Sequence, residues 1–154
     1  VRVDPTELST LLPGTWRIAA TNLPFWLDGA RHAPTISYEV ARADPLALRD
    51  TVEYRTRAGE SKTIVGMDRL RRGMLRWRGN GLLKLVASTW WVTGAAANGE
   101  IIGIEYEKTT LTPAGVDVLQ RDGNEQDVRR HVASRVAELG LTPEQFASLT
   151  WIRG

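Results

Sequence analysis

The chain has 154 residues, 42% hydrophobic and 25% charged, which is the size and balance of one compact domain spanning 1–154; its formal charge of only +2 does not by itself argue for a nucleic-acid partner. With no cysteine and two histidines, disulfides, thiolate metal sites and a cysteine nucleophile are excluded and a histidine-rich metal centre is disfavoured, so neither metal nor cofactor is expected. No uncharged apolar run reaches the ~18 residues of a membrane-spanning helix and no basic start leads into an apolar signal core, so a soluble, cytoplasmic protein is expected.

Asp4-Pro5-Thr6-Glu7 opens a short helix. Asp4 can cap it, Pro5 suits the first helical position, and Glu7 stands where a capping-box carboxylate reaches back. Pro13-Gly14 stops it, and from Thr15 the hydrophobic period changes from helical to alternating. Eight extended segments follow, near Thr15–Thr21, Thr35–Arg42, Thr51–Arg57, Ser61–Asp68, Met74–Arg78, Lys84–Thr93, Glu100–Lys108 and Gly115–Arg121. Ala58-Gly59-Glu60 and Asn98-Gly99 are hairpin connections, so the segments read as an antiparallel meander. Asn22–Pro34 is longer than a hairpin needs and carries Phe25 and Trp26, as a lid would. The tail is helical over about 124–150: Asn124 can cap a segment with Val128, Val132, Val136 and Leu139 at helical spacing, ending at Gly140, and Thr142-Pro143-Glu144-Gln145 reads as a second capping box.

Charged residues orient the strands, because an ionised side chain facing a core without a partner costs several kcal/mol. Arg17 puts Trp16, Ile18 and Ala20 inside; Glu39 does so for Ile36 and Tyr38; Glu53 and Arg55 for Val52 and Tyr54. Arg76 and Arg78 leave Trp77 inward, Lys84 leaves Trp91 inward, and Glu105 leaves Ile104 and Tyr106 inward. All three tyrosines thus face one interior, which suits a roomy, partly polar lumen; the alternative is hydroxyls that reach the rim or bond to backbone. An antiparallel sheet of eight strands removes its exposed edges by closing into a barrel, whose interior either packs solid or holds one small ligand.

Gly14-Thr15-Trp16, placed after a short helix at the start of the first strand, resembles the Gly-X-Trp signature of the lipocalins and the wider calycin superfamily. Gly66-Met67-Asp68-Arg69, Arg78-Gly79-Asn80-Gly81-Leu82-Leu83 and the stretch from Glu107 to Gly115 are similar to segments of lipocalin-like proteins from bacteria and plants that mostly lack an assigned activity. The resemblance covers about Pro13 to Arg121. It implies an all-β fold, an eight-stranded antiparallel barrel over about 14–121 with Trp16 at its floor and Asn22–Pro34 as its lid, between a short N-terminal helix and C-terminal helices. In that family a helix and a further strand commonly follow the last barrel strand, and a nearby arginine stacks on the signature tryptophan. No arginine of this sequence matches that place unambiguously.

Two functions are open. A binding protein would hold a hydrophobic or aromatic small molecule in the lumen among Trp16, Phe25, Trp26, Tyr38, Tyr54, Met67, Trp77, Trp91, Ile104 and Tyr106. A cofactor-independent enzyme of cyclase or isomerase type, acting on a polyketide- or terpenoid-like substrate, would add a hydrogen-bond donor from Tyr38, Tyr54 or Tyr106 and an acid or base from His32. Asp68 ends a strand and Glu105 points outward, so no pair of carboxylates is expected to converge at the spacing that glycoside chemistry requires. The arginines at 69, 71, 72, 76 and 78 around Trp77 are the best argument for nucleic acid, but alternation turns Trp77 away from them. A homodimer is left open.

Overall fold

The computed structural model describes residues 3–81, 87–109 and 113–152. A 3₁₀ turn (Pro5–Glu7) runs into α1 (Leu8–Leu11), capped by the Asp4 carboxylate on the Thr6 amide rather than by a reciprocal Glu7 contact. The strands follow in sequence order: β1 (Gly14–Thr21), β2 (His32–Ala43), β3 (Leu46–Arg55), β4 (Ser61–Arg71), β5 (Met74–Gly79), β6 (Ala87–Ala96), β7 (Ile101–Tyr106) and β8 (Gly115–Arg121). Each pairs antiparallel with the next, and β1 pairs with both β2 and β8, so the sheet closes into an eight-stranded barrel. The first part of the segment expected from Lys84 lies outside the described residues. A ninth strand, β9 (Thr150–Trp151), adds to β1 beside Ala20 and Thr21. It supplies the further strand after the helices that the resemblance implies and that periodicity over two residues could not reveal.

The floor explains the signature tripeptide. Trp16 is fully buried among Leu8, Leu12, Leu46 and Leu75, and its indole donates to the Leu12 carbonyl at 2.9 Å. The Arg121 guanidinium lies 3.9 Å above the Trp16 ring and donates to the carbonyls of Pro13 and Leu11. Arg121, the last residue of β8, is therefore the stacking arginine that the sequence could not single out. Gly14 has φ +119°, and a Cβ there would stand 2.6 Å from the Arg121 guanidinium, so glycine answers both the backbone and the space.

The outer face of β1, β7 and β8 is covered by the tail. Ala20, Ile101, Val116 and Val118 pack against Val128, Val132, Leu139, Leu141 and Leu149. The expected helix is broken into α3 (Val128–Ala133), capped by Asp127 rather than Asn124, and a 3₁₀ turn (Val136–Leu139) that ends at left-handed Gly140. The second capping box forms on α4 (Pro143–Ser148) as read. Glycines let the tail sit close: a Cβ on Gly94 would lie 2.4 Å from the Glu138 carbonyl. Ala20 belongs to this outer cluster, not to the interior. A register shift between Ile18 and Ala20 turns the end of β1 over, so that Thr21 faces inward instead.

Two further orientations are corrected. On β6 it is Trp90 that enters the core, hydrogen-bonding inside the barrel, while Trp91 lies on the outer face. Lys84, the charge from which that phase is read, lies outside the described residues. On β4 the inward residues are Gly66, Asp68 and Leu70, which puts Met67 on the outside. Asp68 is thus a charge that faces inward on this strand.

Candidate functional site

The barrel is sealed at one end and covered lightly at the other. At the Trp16 end Trp16, Leu46, Leu48, Leu75 and Ile102 are buried, whereas at the other end Val52, Tyr54, Ile64, Trp77 and Tyr106 face inward and remain partly exposed. Over that end lies the 22–31 segment with α2 (Pro24–Leu27). Trp26 packs onto the core edge and meets Tyr54 edge-on, with ring centroids 6.5 Å apart. Arg31 sits 3.7 Å over the Phe25 ring, pairs with Asp28 at 2.9 Å and faces Tyr54 at 5.6 Å. Arg57 holds the segment from the barrel side through the Gly29 carbonyl. Phe25 itself is 41% exposed.

Below the lid, neighbouring strands bring a polar and aromatic group together. Tyr38 stands opposite Asp50 in the β2–β3 ladder, Asp68 opposite Trp77 in β4–β5, Trp90 opposite Tyr106 in β6–β7, and Thr21 opposite Asp117 in β1–β8. Paired residues share a face, so all of these side chains point into the barrel. Tyr38 stacks on Trp90 with centroids 5.7 Å apart, and the Trp90 indole donates to Asp68 at 2.9 Å. Trp77 lies across Gly66, where a Cβ would stand 2.3 Å from the indole nitrogen. Gly66→Ala is therefore expected to push Trp77 aside, at a cost of about 1–3 kcal/mol in urea melts and with a changed tryptophan emission maximum.

Three buried aspartates are the unexpected part of this interior. Burial pushes Asp117 up to about 7 and Asp68 up to about 6, and burial together with the neighbouring Asp68 charge drives Asp50 well above the carboxylate range. Asp50 and Asp68 face each other, and Asp50 Oδ1 and Asp68 Oδ2 lack a conventional donor, so a single proton between the two carboxyls satisfies the pair. Thr21 and Tyr106 hydroxyls lie against Asp117 and temper its rise. Neither makes a full hydrogen bond to it, so both Asp117 oxygens keep unfilled acceptor capacity. Burial, and then the surrounding carboxyls, raise the phenols of Tyr38 and Tyr106 well above their usual value, so both remain protonated donors.

Of the expected site residues, Tyr38, Trp77 and Tyr106 come together in this cluster, with Ile104 opposite Asp117 in the ladder. Tyr54 lies four residues beyond Asp50 on β3, about 13 Å up the wall, and serves the lid instead. Trp16 is floor. His32 is exposed where β2 begins, on the rim. Asp50 and Asp68 do meet inside the barrel, a pairing of carboxyls that the sequence reading did not anticipate. A signal for them was present: Asp50 keeps the phase of Leu48, Val52 and Tyr54, and Asp117 keeps that of Leu119. Among the described residues no group of three or more metal-ligating side chains could hold a metal ion, and no helix is long and apolar enough to cross a membrane. A depression of about 310 Å³, lined by Arg71, Arg72, Met74, Arg76, Thr89 and Glu107, lies on the opposite face of the sheet from Trp77 and Trp90.

A closed eight-stranded meander, an N-terminal helix under a Gly-X-Trp floor, and a tail helix followed by a strand define a lipocalin fold. Solved structures agree along nearly the whole chain. H1 crustacyanin from the lobster Homarus americanus superposes with a TM-score of 0.67 at 11% identity, over 100% of this chain and 90% of that one. Insecticyanin from the tobacco hornworm Manduca sexta gives 0.66 at 10%, covering 99% and 83%. The amine-binding protein of Rhodnius prolixus, solved with tryptamine, gives 0.66 at 12%, covering 98% and 83%. No family model matches the sequence, and no curated protein is significantly similar to it.

Proposed function

We propose that this protein binds a small, largely apolar molecule with an aromatic portion inside its barrel, admitted past the 22–31 segment. The observation that carries this reading is the gradient of exposure along the inner wall: sealed at Trp16, partly open at Val52, Trp77 and Tyr106 beneath a lid that carries its own aromatics. A wall of aromatic and aliphatic side chains with a few orienting polar groups is what a small-molecule site needs. The binding of tryptamine by a protein of the same fold is in keeping with it. The test is a fluorescence titration with an apolar aromatic probe. Trp77→Ala is expected to weaken binding by about 1–3 kcal/mol, while Trp91→Ala on the outer face leaves it unchanged. Equal losses from both variants would place the probe outside the barrel.

A second reading, an isomerase- or cyclase-type enzyme without cofactor, is favoured by one feature. Asp117 titrates near neutrality beside the protonated Tyr106 phenol, a pairing of base and donor suited to proton transfer. His32 stands exposed on the rim, away from this pair. If the enzyme reading holds, Tyr106→Phe lowers turnover about a hundredfold or more with little change in substrate affinity. If the residue only orients a ligand, the same change costs about 0.5–1.5 kcal/mol of binding.

A further inference from the structure

Among the described residues the interior carries three carboxyls and no cation. Among the described residues the buried polar and charged side chains are Thr21, Asp50, Asp68, Thr93, Asp117 and Gln120, with no lysine, arginine or histidine. The titratable groups that face Asp117 are Tyr106 from β7 and Tyr38 from β2, and the same two phenols face Asp50 of β3 and Asp68 of β4, so every titratable group of the cluster is an acid. Asp117 is fully buried, points into the barrel, and has two carboxyl oxygens without a hydrogen-bond donor. An unpartnered group of this kind costs several kcal/mol where an apolar residue of similar size would fit, so an interior serving only apolar ligands has no use for it. An anionic ligand would be repelled. A single metal ion is not served either, because among the described residues no three ligating groups are placed to hold one.

Resting on the reading of the barrel as a binding site, we infer that its ligand is a cation: an ammonium compound with an apolar or aromatic body, its N–H groups on Asp117 and its charge facing the Asp50–Asp68 pair. An ammonium group brings donors and no acceptor, which is what acceptor-only carboxylates lack. The stacked Tyr38 and Trp90 rings and the Trp77 indole offer π faces to the same charge and flat surface to the body. Binding such a ligand favours ionised Asp117, so affinity rises with pH until that group is fully charged, and a proton leaves the protein on binding below that point.

Isothermal titration with 2-phenylethylamine and its uncharged counterpart 2-phenylethanol, between pH 5 and pH 8, tests this on the full chain. The amine stays protonated throughout. At pH 8 it is expected to bind at least about tenfold more tightly than the alcohol, and to weaken about a hundredfold by pH 5, because Asp117 takes up its proton near 7. Proton release, read from buffers of different ionisation enthalpy, is expected at pH 6. Asp117→Asn should weaken the amine at least about tenfold at pH 8 and flatten the part of its pH dependence centred near 7; Asp68→Asn, whose amide oxygen can still accept the Trp90 indole, provides a second variant if the first misfolds. Alcohol binding as tight as amine binding, or an amine affinity indifferent to pH and to both variants, overturns the cation inference and leaves the barrel as an apolar site. Binding of neither compound at millimolar concentration overturns both.

Discussion

Asp117→Asn is expected to raise the stability of the ligand-free protein at pH 8 by about 2–4 kcal/mol, the order of magnitude that a carboxyl held at about 7 instead of 3.8 implies. The sign follows from which form the fold prefers. Burial favours protonated Asp117, so its contribution is fully present below the unfolded value of 3.8 and is lost as pH rises through about 7. Asp68 adds the same trend through about 6. The wild-type melting temperature should therefore fall between pH 5 and pH 8, by a margin that shrinks in the Asn variant. Differential scanning calorimetry across that range reads both effects; a melting temperature that rises towards pH 8 would show that the carboxyls are ionised and solvated. The lowered carboxylates Asp4 and Asp28, each held down first by a backbone hydrogen bond, act only below the usual carboxylate range and leave this window alone.

Most of the barrel was legible because alternation and hairpin chemistry are local. Ala97, Asn98 and Gly99 all take positive φ between β6 and β7, as the Asn-Gly pair implied, and β8 has the bounds read from sequence. The lining was less legible, for one physical reason. A charge marks strand phase where it seeks water, which holds for Arg17, Glu53, Arg76 and Glu105 but fails for the buried Asp50, Asp68 and Asp117. Starting β3 at Thr51 cut Asp50 off by one residue; the strand in fact begins at Leu46. Where charge and apolar phase disagree on a strand, as they do for Asp68 against Leu70, the disagreement itself marks a residue the fold retains at a cost in stability, which is where function concentrates. Bulges hide in sequence as well. Nothing local distinguishes Ala19 from Ala20, so the turnover of β1 that brings Thr21 to Asp117 shows only in three dimensions.

At the opposite end of the barrel the chemistry is purely structural, and the second large effect is expected there. Trp16→Ala should cost about 3–5 kcal/mol, the range for emptying a fully buried tryptophan site, and is expected to lower the melting temperature at every pH. Trp16→Phe keeps most of the packing but loses the bond to the Leu12 carbonyl and the broader face under Arg121, so a smaller loss of about 1–2 kcal/mol is expected. Arg121→Lys separates stacking from charge. Lysine keeps the cation near Glu100, now 3.6 Å from the guanidinium, but cannot lie flat on the indole while donating to both Pro13 and Leu11. Combining Arg121→Lys with Trp16→Phe should cost less than the sum of the two, because each removes the same contact. Because the floor and the aspartate cluster lie at different heights of the barrel, these variants should leave the midpoint pH of the stability decline where it is. Strict additivity of the two floor substitutions, measured by urea unfolding, would show that the arginine holds the Pro13–Gly14 turn and contributes nothing through the ring.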